Sequence, residues 1–192
     1  MRLLRCLVFV VLTAGLTVGI VDDAVAQEPP KPGPEHEVLM DDVGTWELEV
    51  TMSMPGLPSP IVSKGNEVIE SACGGLFIES KSTGDFGGLP FEGRSLMGYD
   101  AFKKKYTGVW IDNFGTSFYQ MEGTYDADTK TMTIELTGPD PVTGKPFTQK
   151  QVVQRIDDDT KKSESFMADP SGESKEPIKI LTIVAKRVKS SQ

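Results

Sequence analysis

The chain has 192 residues, with 20 Lys and Arg against 28 Asp and Glu, one His and two Cys, for a formal net charge of −8. That acidity repels phosphate backbones and anionic headgroups, so a nucleic-acid partner is not expected. Only Cys73 lies beyond the N-terminal segment, which leaves the folded part no internal disulfide and makes packing its source of stability.

Residues 1–26 have the form of a signal peptide. Arg2 and Arg5 are followed by a mostly apolar run of 16 residues from Cys6 to Val21, and Ala24-Val25-Ala26 supplies a small-residue cleavage site. The run is shorter than the roughly 18 residues read as a spanning helix. The expectation is export, to the periplasm or beyond the cell, with no membrane span after cleavage. Cleavage removes Arg2, Arg5, Asp22 and Asp23, so the charge stays at −8. Residues 27–34 carry four prolines and read as an extended tether. In residues 35–43, His36, Leu39, Met40 and Val43 fall at roughly helical spacing, giving one or two turns stopped by Gly44. Such a helix can plug one end of a barrel.

From Trp46 the period changes to two. Trp46, Leu48, Val50, Met52 and Met54 alternate with Glu47, Glu49, Thr51 and Ser53, the pattern of a half-buried antiparallel strand. Nine further strand-like segments follow, at about 61–71, 76–85, 90–99, 105–112, 117–125, 131–137, 147–156, 161–168 and 177–188. Turn chemistry separates them, as at Gly87-Gly88, Asn113-Phe114-Gly115 and Asp157-Asp158-Asp159. Short connections pair sequence neighbours as hairpins, and a meander of this length curls and closes. The predicted architecture is therefore all-β: one antiparallel up-and-down barrel of about ten strands over residues 35–188, with a short N-terminal helix and a tail at 189–192. An open sandwich needs longer crossings, and only residues 138–146 are long enough to supply one.

Gly44-Thr45-Trp46 heads the first strand, where Gly44 allows a sharp turn and the indole can fill the narrow end of a barrel. Other stretches carry a resemblance: Gly33-Pro34-Glu35-His36-Glu37, Cys73-Gly74-Gly75-Leu76, Phe91-Glu92-Gly93-Arg94, Met97-Gly98-Tyr99-Asp100, Trp110-Ile111-Asp112, Glu122-Gly123-Thr124-Tyr125-Asp126 and Thr143-Gly144-Lys145-Pro146. In this order and spacing, over nearly the whole chain after residue 26, the sequence resembles the bacterial domain-of-unknown-function 1579 family. The resemblance implies a lipocalin-like (calycin) barrel and adds no catalytic residues. Members often carry Arg after the Gly-Gly pair, where this chain has Leu76. Calycin barrels set a cation of the last strand against the first-strand Trp. Lys186 and Arg187 are the candidates, with Arg187 favoured for its planar face.

A small apolar ligand inside the barrel is the expected partner, bound by apolar burial with one or two polar groups to orient it. Arg94 is the first candidate for that polar role, with Glu79 beside it and Tyr99, Trp110 and Phe118 as candidate wall aromatics. A one-residue slip in parity exchanges the two faces of every strand, so the facing of Arg94 and Glu79 is open at this level. Cys73 reads as a small buried residue at a strand end. His36, the sole histidine, precedes the first strand and suits packing or capping better than metal or haem ligation, so no metal or cofactor is expected. No Gly-x-Ser-x-Gly or nucleophile–base constellation occurs. Two alternatives remain: an envelope interaction module using the outer face or tether, and an acid–base hydrolase or isomerase built on inward carboxylates and Arg94. The balance leans away from an enzyme.

Overall fold

A computed structural model describes residues 28–141, 143–169 and 174–189. The expected signal peptide lies outside the described residues, as does all but the first residue of the tail. Among the described residues the elements are one helix, α1 (Pro34–Met40), and ten strands. The strands are β1 (Gly44–Met52), β2 (Ile61–Ala72), β3 (Phe77–Phe86), β4 (Leu89–Asp100), β5 (Lys105–Asp112), β6 (Tyr119–Asp126), β7 (Thr131–Pro139), β8 (Pro146–Asp157), β9 (Thr160–Met167) and β10 (Ile178–Arg187). Every neighbour pair is antiparallel, and β1 bonds both β2 and β10, so the sheet closes on itself as a barrel. Closure satisfies the edges that a ten-stranded sheet would otherwise leave open. No helix among the described residues is long and apolar enough to cross a membrane.

The helix is too short to stand alone in water. Pro34 occupies its first turn, and the Gly33 N–H donates to His36 Nδ1 at 3.0 Å. Leu39 is buried in the core, and the Tyr106 hydroxyl donates to the Glu35 carbonyl at 3.0 Å. The His36 ring meets Tyr99 edge-on at 6.1 Å. These contacts dock α1 against the end of the barrel where β1 begins and β10 ends.

The seam between β1 and β10 is at the same end. Trp46 lies opposite Arg187 in the register and is 0 % exposed. The Arg187 guanidinium sits 4.2 Å from the Trp46 ring centroid, and the Lys161 ammonium 4.4 Å. Arg187 also donates to three carbonyls: Val43 at 2.7 Å, Asp41 at 2.6 Å and Asp158 at 3.2 Å. The indole N–H donates to the Asp42 carbonyl at 2.9 Å. Gly44 has φ +140°, and a Cβ there would stand 2.7 Å from Arg187 Nη1. Only glycine both adopts that conformation and leaves room for the guanidinium.

Cys73 departs from expectation. It is exposed, in a one-turn 3-10 segment (Cys73–Gly75) at φ +50°, because the chain reverses there between β2 and β3.

Tyr106, on the inner face of β5, offers a pH test of the sealed end. Burial pushes its phenol from 10.0 up to about 12, with Glu35 and its tyrosine neighbours adding to the shift. The folded value lies above the unfolded one, so this contribution to stability is complete below pH 10 and is lost between about pH 10 and 12. Ultraviolet titration should show one phenol ionising well after the others. A Tyr106→Phe chain should lack that late step and lose less stability across the same window.

Candidate functional site

The end of the barrel opposite α1 is hollow. A cavity of about 450 Å³ runs inward from it, walled by alternate residues of the strands. Leu48, Val50 and Met52 of β1 face Met121 and Leu136 of β6 and β7, while Met167 and Ile183 complete the aliphatic wall. The mouth is aromatic. The Phe86 and Phe91 rings are 4.8 Å apart, Phe114 lies 5.6 Å from Phe91, and Trp110 stacks on Phe91 at 6.4 Å with an interplanar angle of 22°. A Cβ on Gly93 would overlap the Trp110 ring, so the indole occupies the space that the glycine leaves. Its N–H donates to Asp112 Oδ2 at 2.9 Å, which fixes the ring plane.

Neutral polar groups interrupt the apolar wall. Ser63, Ser82, Gln149, Gln151 and Ser165 all line the cavity. Gln151 Nε2 donates to Ser163 at 2.8 Å, and Ser82 donates to Glu67 Oε1 at 3.4 Å. Ser165 is 0 % exposed, and its hydroxyl has no hydrogen-bond partner.

Toward the sealed end an ionic cluster follows. Lys161 Nζ lies 3.5 Å from Glu67 Oε2 and 3.6 Å from Asp42 Oδ2, and Arg155 pairs with the other oxygen of Asp42. The cluster thus sets two cations against two carboxylates. Among the described residues no group of three or more His, Cys, Asp or Glu side chains could hold a metal ion.

The residues singled out from the sequence divide between the faces. Trp110 lines the cavity. Tyr99 points inward but lies at the sealed end, 5.2 Å from Tyr106, and is not part of the cavity wall. Phe118 stands on the loop before β6 and is 70 % exposed. Arg94 and Glu79, the candidate polar groups whose facing the sequence leaves open, are on the outer surface. Arg94 is 44 % exposed there, 3.1 Å from Glu92 and 3.9 Å from Glu79. The reason is parity: Phe91, Gly93, Ser95 and Met97 of β4 face inward, so Arg94 faces out. The hydrogen bond from Arg94, followed by the charge of Lys81, holds the Glu92 carboxyl below its usual value. The acid–base alternative loses its proposed pairing, because Arg94 is on the outer face, away from the inward carboxylate Glu67, which meets Lys161 and Ser82 instead.

Sequence reasoning passed over Lys161, Glu67 and Ser165. In β9 the inward Lys161, Ser163 and Ser165 alternate with Lys162, Glu164 and Phe166, so both faces look polar. The contrast that marks an inner face is missing there. Phe91 could have been found by its parity with Met97.

The sequence model of the family described as "Protein of unknown function (DUF1579)" matches residues 31–187. The chain belongs to the DUF1579 family. The match spans α1 and all ten strands, so the cavity, the ionic cluster and the β1–β10 seam of this DUF1579 chain all lie inside the family region. The barrel is consistent with a lipocalin-like description. No curated protein matches the chain significantly.

Proposed function

We propose that this DUF1579 chain is an exported protein that binds a small, largely apolar molecule inside its barrel. The observation that carries the reading is the 450 Å³ cavity, apolar over most of its wall, in a barrel whose α1 end is filled by the buried Trp46 and Leu39. Its volume falls in the range of small-molecule sites, about 300–1,000 Å³. A cavity with this lining favours a ligand through apolar area removed from water, about 25 cal/mol per Å². The sealed end keeps a bound molecule from passing through. Trp110 at the mouth gives the site its own fluorescent reporter.

The test is titration with the neutral probe N-phenyl-1-naphthylamine. Its emission should rise on binding, with energy transfer from Trp110. A Leu136→Trp, Met167→Trp double variant, which fills much of the cavity, should weaken the probe at least tenfold while the far-ultraviolet circular dichroism stays unchanged. Absence of any probe binding to the unaltered protein, or undiminished binding to a folded filled variant, would sink the reading.

Export is supported by the leader-like residues 1–26. Expressed with its leader in a bacterial host, the protein recovered outside the cytoplasm should begin at Gln27 by N-terminal sequencing. A cytoplasmic product that retains residues 1–26 would count against export.

A further inference from the structure

We propose that the ligand is an uncharged amphiphile, an alcohol, ester or primary amide on an apolar chain, with its polar head turned inward to Ser165. This rests on the reading of the barrel as a binder of apolar molecules and specifies the chemistry of that molecule.

Ser165 is the first observation. Ser165 is fully buried on the inner face of β9 and is among the residues lining the cavity, and its hydroxyl has no partner in the protein. An unmade hydrogen bond on a buried hydroxyl is a standing cost, which a ligand hydroxyl, carbonyl or amide would relieve. Ser165 lies opposite Gln151 in the β8–β9 register, two residues inward of Met167 and four residues short of Lys161. Among the polar groups that share the wall with it, Gln149, Gln151, Ser63 and Ser82 are neutral and can donate and accept.

The charges are the second observation. A carboxylate head would need a cation, yet both inner cations, Lys161 and Arg155, already face Asp42 and Glu67. An ammonium head would need a carboxylate, and those two are engaged by the same cations. Asp85, Asp112 and Asp140 line the cavity with Lys64 as the one cation among those four, so an anion enters against a net negative rim. Neither sign of charge finds a counter-ion where the head would rest, and burying an unpaired charge is prohibitive. The aromatic mouth suits the tail, and the neutral polar wall further in suits the head.

The experiment displaces N-phenyl-1-naphthylamine from the leader-free protein at pH 7.5 with 1-decanol, decanamide, decanoate and decylammonium. Decanol and decanamide should compete at least tenfold better than either ion. In Ser165→Ala the decanol preference over decanoate should shrink by about tenfold, with each competitor's affinity taken relative to the probe's own affinity for that variant. Removing the orphan hydroxyl should also raise the Tm of the free protein by about 2–6 °C, which shows that the variant is folded. The proposal is overturned if decanoate or decylammonium competes as well as decanol, or if Ser165→Ala leaves the preference unchanged. A protein that never binds the probe removes the apolar-ligand reading itself and the head-group assignment with it. Probe binding with the wrong head preference removes the assignment alone.

Discussion

A Trp46→Ala chain should unfold with about 3–5 kcal/mol less stability than the unaltered protein, read from urea denaturation at constant m-value. The size follows from what the indole does. It is fully buried at the sealed end, so truncation removes the transfer free energy of a large side chain and leaves a hole that the surrounding sheet cannot close. Burial is the largest contribution. The rest comes from cation–π attraction of the Arg187 and Lys161 cations over the ring and from the indole N–H bond to Asp42. Trp46→Phe separates these contributions, because it keeps an aromatic face for the cations and loses the N–H and part of the volume. It should cost about half as much. Against a typical total of about 5–15 kcal/mol, the alanine variant is close to the limit of folding. A cost below about 1 kcal/mol would show that the β1–β10 seam holds without the indole.

Lys161→Ala is expected to cost about 2–4 kcal/mol, for a different reason. The Lys161 side chain is 10 % exposed and its Glu67 partner 19 %, so removing the ammonium strands a mostly buried carboxylate. Asp42 keeps Arg155 and is less affected. Breaking one side of a buried pair is costly, whereas replacing both sides with neutral groups of similar size is often close to neutral. The Lys161→Met, Glu67→Gln double variant should therefore recover most of the loss, with a coupling energy above about 1 kcal/mol in the double-mutant cycle. Additive single effects would mean that the two charges do not stabilise each other.

The extent to which this molecule could be read in advance varies by element. The fifth strand was expected at residues 105–112 and lies at Lys105–Asp112. Its apolar-polar alternation and flanking turn residues are local signals. The sixth was expected from residue 117 but starts at Tyr119, because the loop from β5 runs on through the exposed Phe118. The face of β4 was not legible. Its inward set includes Gly93 and Ser95, which carry no hydrophobic mark, and at Gly93 the space of a side chain is filled by Trp110 of the next strand. Ser80 and Ser95, hydrogen-bonded at 2.8 Å across β3 and β4, hide the inner face in the same way.

The sequence alone therefore determined the all-β class, the number of strands and the plugging helix, because alternation, turn chemistry and capping act within a few residues of each other. The tertiary structure alone decided that Arg94 and Glu79 face solvent and that Lys161 meets Asp42 and Glu67. It also decided that Ser165 is left with an unpaired hydroxyl in the cavity wall. Those outcomes depend on strand parity and on contacts between residues far apart in the chain, which exist only once the sheet has closed.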